Sequence, residues 1–103
     1  MLDFLKKIFG VGPTVDYREL MDNGAIIIDV RTRAEYSSGH IKGAMNIPLD
    51  QIEKSVKKIK SKKKMIITCC RSGRRSGMAA DILKRNGVEA VNGGGWNSLN
   101  RKL

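Results

Sequence analysis

Apolar residues along this chain gather in short continuous runs, separated by stretches in which they recur every three or four positions. Ala25-Ile26-Ile27-Ile28-Asp29-Val30 is one run, interrupted only near its end, and Met65-Ile66-Ile67-Thr68-Cys69 is a second. Val88-Glu89-Ala90-Val91 is a third. Unbroken runs of this length suit strands buried on both faces. Between them the spacing turns helical: briefly over Arg33 to Ser38, over Leu49 to about Lys60 with Leu49, Ile52, Val56 and Ile59 in register, and over Ser76 to Asn86 with Met78, Ala79, Ile82 and Leu83 on one side. An earlier helix runs from Tyr17 to about Asn23, with Asp16 placed to cap it. Asn23-Gly24 and Asn86-Gly87 supply stops. Strands alternating with helices predict an α/β domain with a small, mostly parallel central sheet flanked by helices. Ligands of such sheets collect at the carboxyl ends of the strands.

Composition narrows the picture. At 103 residues the chain has room for one domain with a modest core, and 41% hydrophobic with 29% charged residues excludes a disordered chain. Gly10-Val11-Gly12-Pro13 is a breaker, so residues 1–13 are expected to form an N-terminal segment and residues 14–103 the domain. In that segment Leu2, Leu5, Ile8 and Phe9 share a helical face, which predicts a short amphipathic helix docking on its own domain or fraying, with contact to a membrane surface or a partner as the alternative. It has neither the long apolar stretch nor the cleavage site of a signal peptide, and no segment is long enough to span a bilayer.

The formal charge of +10 draws anions. Seven lysines from Lys54 to Lys64 read as the wet face of the helix around Ile52, Val56 and Ile59 and its exit loop. With one Trp, two Tyr and two Phe and no interleaving of basic and aromatic residues, no dedicated nucleic-acid site is expected. Cys69 and Cys70 are adjacent and cannot staple distant segments, which points to a reducing compartment and a cytoplasmic protein. Two cysteines and His40 fall short of a zinc set, so neither metal nor cofactor is expected.

Chemistry concentrates where the second apolar run ends, in Thr68-Cys69-Cys70-Arg71-Ser72-Gly73-Arg74-Arg75-Ser76. Nearby positive charge and a helix N-terminus lower a cysteine pKa from about 8.5 into the ~3.5–7.5 range. Successive backbone N–H groups in a tight loop, followed by the unpaired N–H groups of a new helix, bind anions. The stretch is therefore an anion-binding loop around a thiolate.

Four blocks, in order, resemble the rhodanese family of sulfurtransferases. They are Asp29-Val30-Arg31 with Glu35-Tyr36, the block from Gly39-His40-Ile41 to Asn46-Ile47-Pro48, Cys70 to Ser76, and Gly93-Gly94-Gly95-Trp96 at slightly altered spacing. The resemblance covers nearly everything from Val15 onward and implies a small α/β fold with Cys70 as nucleophile. By it, Cys70 takes the outer sulfur of an anionic donor such as thiosulfate or a persulfide and passes it to a thiol or cyanide. The resemblance also implies that Arg71, Ser72, Gly73, Arg74, Arg75 and Ser76 bind the substrate. Arg75 closes the loop and contributes to the cradle, Arg71 and Arg74 face solvent, and Ser76 also serves the helix start. Asp29, Arg31 and Trp96 support the site from behind, and His40 is structural.

Two alternatives accompany this reading. Counted from Cys69, the stretch through Arg75 and Ser76 also matches the cysteine-phosphatase signature, although Thr68 stands where tyrosine-specific phosphatases carry histidine. The domain is alternatively a sulfur carrier with little turnover, docked through its positive charge on an acidic partner.

Overall fold

The computed structural model describes residues 15–103, so the expected amphipathic helix over residues 1–13 lies outside the described residues. The elements in order are α1 (Tyr17–Asp22), β1 (Ile26–Asp29), α2 (Arg33–Ser37), β2 (Met45–Asn46), α3 (Leu49–Ser61), β3 (Ile66–Cys70), α4 (Arg74–Arg85), β4 (Ala90–Gly95) and α5 (Trp96–Arg101). The four strands pair in the order β2-β1-β3-β4, all parallel.

Alternate residues of each central strand feed opposite cores, as the period of two requires. Ile28 and Val30 of the first apolar run and Ile66 and Cys70 of β3 face Ile52 and Ile59 of α3 and Ala79, Ala80 and Leu83 of α4. Ile27, Ile67 and Cys69 face the other way, toward Leu20 and Met21 of α1, Ile41, and Leu99 of α5. Both layers are largely apolar, which explains why β1 and β3 read as nearly continuous runs rather than alternating ones.

The caps follow the sequence signals. Asp16 accepts from the Glu19 N–H at 3.0 Å, and Gly24 and Gly87 take the positive φ that ends α1 and α4. At the head of α2, Thr32 and Glu35 form a reciprocal capping box. The strand expected over Val88 to Val91 instead runs from Ala90 to Gly95, and β2 and α5 are additional to the predicted elements. Helix α4 starts at Arg74, with Gly73 as its N-cap, rather than at Ser76.

Candidate active site

Cys70 is the last residue of β3, and Gly73 already caps α4, so only a three-residue bend separates strand from helix. That bend folds the start of α4 back over the sulfur. Cys70 Sγ accepts from the Gly73 N–H at 3.0 Å and the Ser76 N–H at 3.4 Å, and lies 3.3 Å from Ser76 Oγ. Gly73 holds φ +100°, and a Cβ there would sit 3.2 Å from Gly94 Cα, so this turn needs glycine on two counts.

Opposing effects set the ionisation of Cys70. Burial pushes the thiol up, but the Ser76 hydroxyl and the backbone N–H groups of Ser76, Gly73 and Ser72 pull it down, and the net direction is below an ordinary cysteine. Cys69, on the opposite face of the sheet, is fully buried. Burial, reinforced by the nearby Asp29, pushes its thiol up to about 12. A neutral, enclosed sulfur of this kind is a poor nucleophile, and the loop donors converge on Cys70.

The loop is braced from both sides. On β4, Asn92 donates through Nδ2 to the Gly73 carbonyl at 2.9 Å and accepts at Oδ1 from Ser76 Oγ at 2.7 Å and the Gly94 N–H at 2.9 Å. Thr68 Oγ1, buried in β3, donates to the Ser76 carbonyl at 2.8 Å. From α2, Glu35 receives both arms of the Arg75 guanidinium at 2.8 and 3.0 Å. That fork holds the Glu35 carboxyl well below the usual carboxylate range, with the Thr32 N–H contributing next. Arg75 thus stands in the first turn of α4 with its side chain turned to α2, while Arg71, Ser72 and Arg74 are exposed. Ser76 is buried inside the first turn rather than capping the helix, because Gly73 already occupies the cap.

Close backbone approach on the β4 side depends on two further glycines. A Cβ on Gly93 would fall 2.8 Å from the Thr68 carbonyl, and one on Gly95 would fall 2.8 Å from the Arg71 carbonyl. Gly93-Gly94-Gly95 therefore continues the strand against β3.

Behind the loop, Asp29 and Arg31 form a buried ion pair. Arg31 Nε and one terminal nitrogen donate to the Asp29 carboxylate at 2.9 and 2.7 Å, and the same nitrogen donates to the Gly39 carbonyl at 2.7 Å. Trp96 covers the Arg31 guanidinium at 4.8 Å. His40 is tied to α2: its Nδ1 donates to the Tyr36 carbonyl at 2.7 Å and its ring stacks on Tyr36. Asp29, Arg31, Trp96 and His40 thus form a frame in which no side chain contacts Cys70 Sγ by hydrogen bond.

Sequence reasoning singled out Cys70, Gly73 and Ser76, which the fold brings together, but not Asn92 or the pairing of Glu35 with Arg75. A polar residue in an otherwise apolar run, followed by three glycines, was the available signal for Asn92. Beside the loop, Val30, Thr32, Pro48, Leu49, Asp50 and Arg75 line a groove of about 430 Å³.

Comparison with known proteins agrees with this geometry. A family model described as a rhodanese-like domain matches residues 14–102. The putative sulfur carrier protein YrkF of Bacillus subtilis is 40% identical over 70 residues, covering 68% of this chain and 37% of that protein. The thiosulfate sulfurtransferase PspE of Escherichia coli is 36% identical over 74 residues, covering 70% of this chain and 71% of that one. The matched stretch spans only 52% of a second Bacillus subtilis relative, so this chain corresponds to part of some of its relatives. Among solved structures, a rhodanese with anions from E. coli matches at a TM-score of 0.65 and 33% identity, over 72% of this chain and 89% of that one. With a parallel sheet that delivers a cysteine into a ring of amide donors, and a family match over nearly all the described residues, the chain belongs to the rhodanese family.

Proposed function

We propose that this protein is a sulfurtransferase that carries a sulfane sulfur as a persulfide on Cys70. The observation that carries the reading is the convergence on Cys70 Sγ of the Gly73 and Ser76 N–H groups and the Ser76 hydroxyl, at 3.0, 3.4 and 3.3 Å. Donors so arranged stabilise a thiolate, the attacking form of cysteine.

In the first half-reaction the Cys70 thiolate attacks the outer sulfur of the donor. With thiosulfate, the donor's S–S bond breaks, its electron pair leaves on sulfite, and a new S–S bond joins that sulfur to Cys70. In the second, an acceptor thiolate or cyanide attacks the outer sulfur of the persulfide, and the Cys70 thiolate is the leaving group. No net proton is required in either step when both nucleophiles arrive as anions. Arg71 and Arg74, exposed at the mouth, draw the anionic donor, and the groove along Val30, Pro48 and Leu49 gives a thiol acceptor apolar footing beside the loop.

A carrier role, with slow turnover on small acceptors, uses the same persulfide; the sulfur carrier relative favours it. Against the phosphatase reading, Cys69 lies on the opposite face of the sheet from Cys70, away from the N–H groups that converge on the Cys70 sulfur. Thiosulfate-to-cyanide transfer tests the proposal. The parent is expected to turn over, Cys70→Ser to lose all transfer, and Cys69→Ser to keep most of it. Loss with Cys69→Ser and retention with Cys70→Ser would reverse the assignment. A parent that takes up sulfur without turnover identifies the carrier.

A further inference from the structure

Ser76 Oγ carries one hydrogen and faces two acceptors. It lies 2.7 Å from Asn92 Oδ1 and 3.3 Å from Cys70 Sγ, and a hydroxyl donates only once. The Asn92 amide is fixed in one orientation, because Nδ2 donates to the Gly73 carbonyl and Oδ1 accepts from the Gly94 N–H. Turned over, it would set acceptor against acceptor and donor against donor. Asn92 Oδ1 therefore takes the Ser76 hydrogen whenever the sulfur does not.

We infer that Asn92 is a positioning residue that sets the direction of the Ser76 hydroxyl, and so governs when Cys70 gains that hydroxyl as an additional hydrogen-bond donor. The inference rests on the reading of Cys70 as the nucleophile. In the thiol, S–H donates to Ser76 Oγ and the hydroxyl hydrogen lies on Asn92. When the thiol proton leaves to solvent, the thiolate becomes the stronger, charge-assisted acceptor and the hydroxyl turns to it. Once Sγ is bonded to a sulfane sulfur, the negative charge moves one atom outward and the hydroxyl returns to Asn92. Removal of that sulfur by an acceptor restores the thiolate and the donation. Rotation about one C–O bond accomplishes each change, and no heavy atom has to move.

Asn92 thus competes with the sulfur for one hydrogen. The competition limits how far the hydroxyl lowers the thiol's pKa, and with it how far the thiolate's intrinsic nucleophilicity falls. Among the described residues, the other ionisable groups of the loop and its frame are the Asp29–Arg31 pair of the β1 end, Glu35 of α2 paired with Arg75 of α4, the exposed Arg71 and Arg74, and the Cys69 thiol, with Asp50 of α3 lining the groove beside Arg75. None of them exchanges a hydrogen bond with the Ser76 hydroxyl or the Asn92 side chain, and the Ser76→Ala background separates the hydroxyl's effect from the loss of the Asn92 bond to the Gly73 carbonyl.

The test is the pH profile of Cys70 alkylation by iodoacetamide, followed by mass spectrometry, in the parent, Asn92→Ala, Ser76→Ala and the double variant. Asn92→Ala leaves the hydroxyl only the sulfur as acceptor, so the midpoint should fall by about half to one pH unit. In the Ser76→Ala background the same substitution should leave the midpoint unmoved. An unmoved or raised midpoint in Asn92→Ala, or a shift that persists without the hydroxyl, overturns the inference. If Asn92→Ala does not fold, the Gly94 amide proton is followed by NMR across the same range. It should titrate with Cys70 in the parent and stay still in Ser76→Ala, and equal behaviour in the two overturns the inference. Alkylation needs no sulfur donor, so failure here is distinguishable from a failure to find sulfur transfer.

Discussion

Asp29→Asn probes the frame behind the loop. Asp29 is fully buried and Arg31 is 4% exposed, and among the described residues the Asp29 carboxylate is the only anion that Arg31 reaches within ion-pair distance. Asparagine keeps the shape of the side chain but removes the charge, which leaves a buried guanidinium facing a neutral amide. Breaking one side of a buried pair costs about 3–5 kcal/mol. At roughly 4–8 °C per kcal/mol for a domain of this size, Tm should fall by roughly 12 °C or more. Urea unfolding followed by the fluorescence of Trp96, the single tryptophan, reports the same locus, because that ring covers the guanidinium at 4.8 Å. Asp29→Asn combined with Arg31→Met removes both charges, and its cost should be smaller than the sum of the two single costs. A loss below about 1 kcal/mol for Asp29→Asn, or a double variant at least as damaged as that sum, would refute the assignment of the pair as the frame's anchor.

Three further outcomes follow from the site. The Glu35 carboxyl is held below its ordinary value in the folded state, so its contribution to stability is fully present above about pH 4.3 and declines as pH falls below that. Glu35→Gln should therefore lower Tm at neutral pH and flatten the acid limb of Tm against pH, and an acid limb as steep as the parent's contradicts the pairing with Arg75. Gly93→Ala would place a methyl 2.8 Å from Ile67 Cγ2 and from the Thr68 carbonyl, and 2.9 Å from Leu99. It should cost about 1–3 kcal/mol in urea unfolding, and a neutral result would mean that β4 does not pack this closely on β3. Gly73→Ala strains a residue at φ +100° by roughly 1–2 kcal/mol and shifts an N–H group off the sulfur, so the alkylation midpoint of Cys70 should rise. A midpoint equal to the parent's would remove Gly73 from the thiolate's donors.

What the chain disclosed in advance depended on burial. Strands β1 and β3 are covered on both faces, so their apolar runs are nearly continuous, and α3 buries Ile52 and Ile59 on the stripe that the spacing marked. Strand β2 is two residues long, too short to carry a period. The end of β4 was hidden because its Asn-Gly-Gly-Gly sequence has poor strand propensity, and those glycines are present so that the backbone can approach Thr68 and Arg71. Helix α4 begins earlier than its apolar stripe because Gly73 caps it by backbone conformation, without a side-chain signal. Cys70 and its loop were legible as a contiguous stretch. Asn92 is 22 positions away from Cys70 by number and 16 from Ser76, and Glu35 is 40 from Arg75, and pairings at such separation exist only once the sheet is assembled.

The most direct measurement is intact-mass and peptide-mapped mass spectrometry of the parent after exposure to thiosulfate and removal of excess donor. The account predicts a gain of the mass of one sulfur atom, borne on Cys70 and discharged by cyanide. A protein that gains nothing, or carries the added sulfur on Cys69, would contradict it.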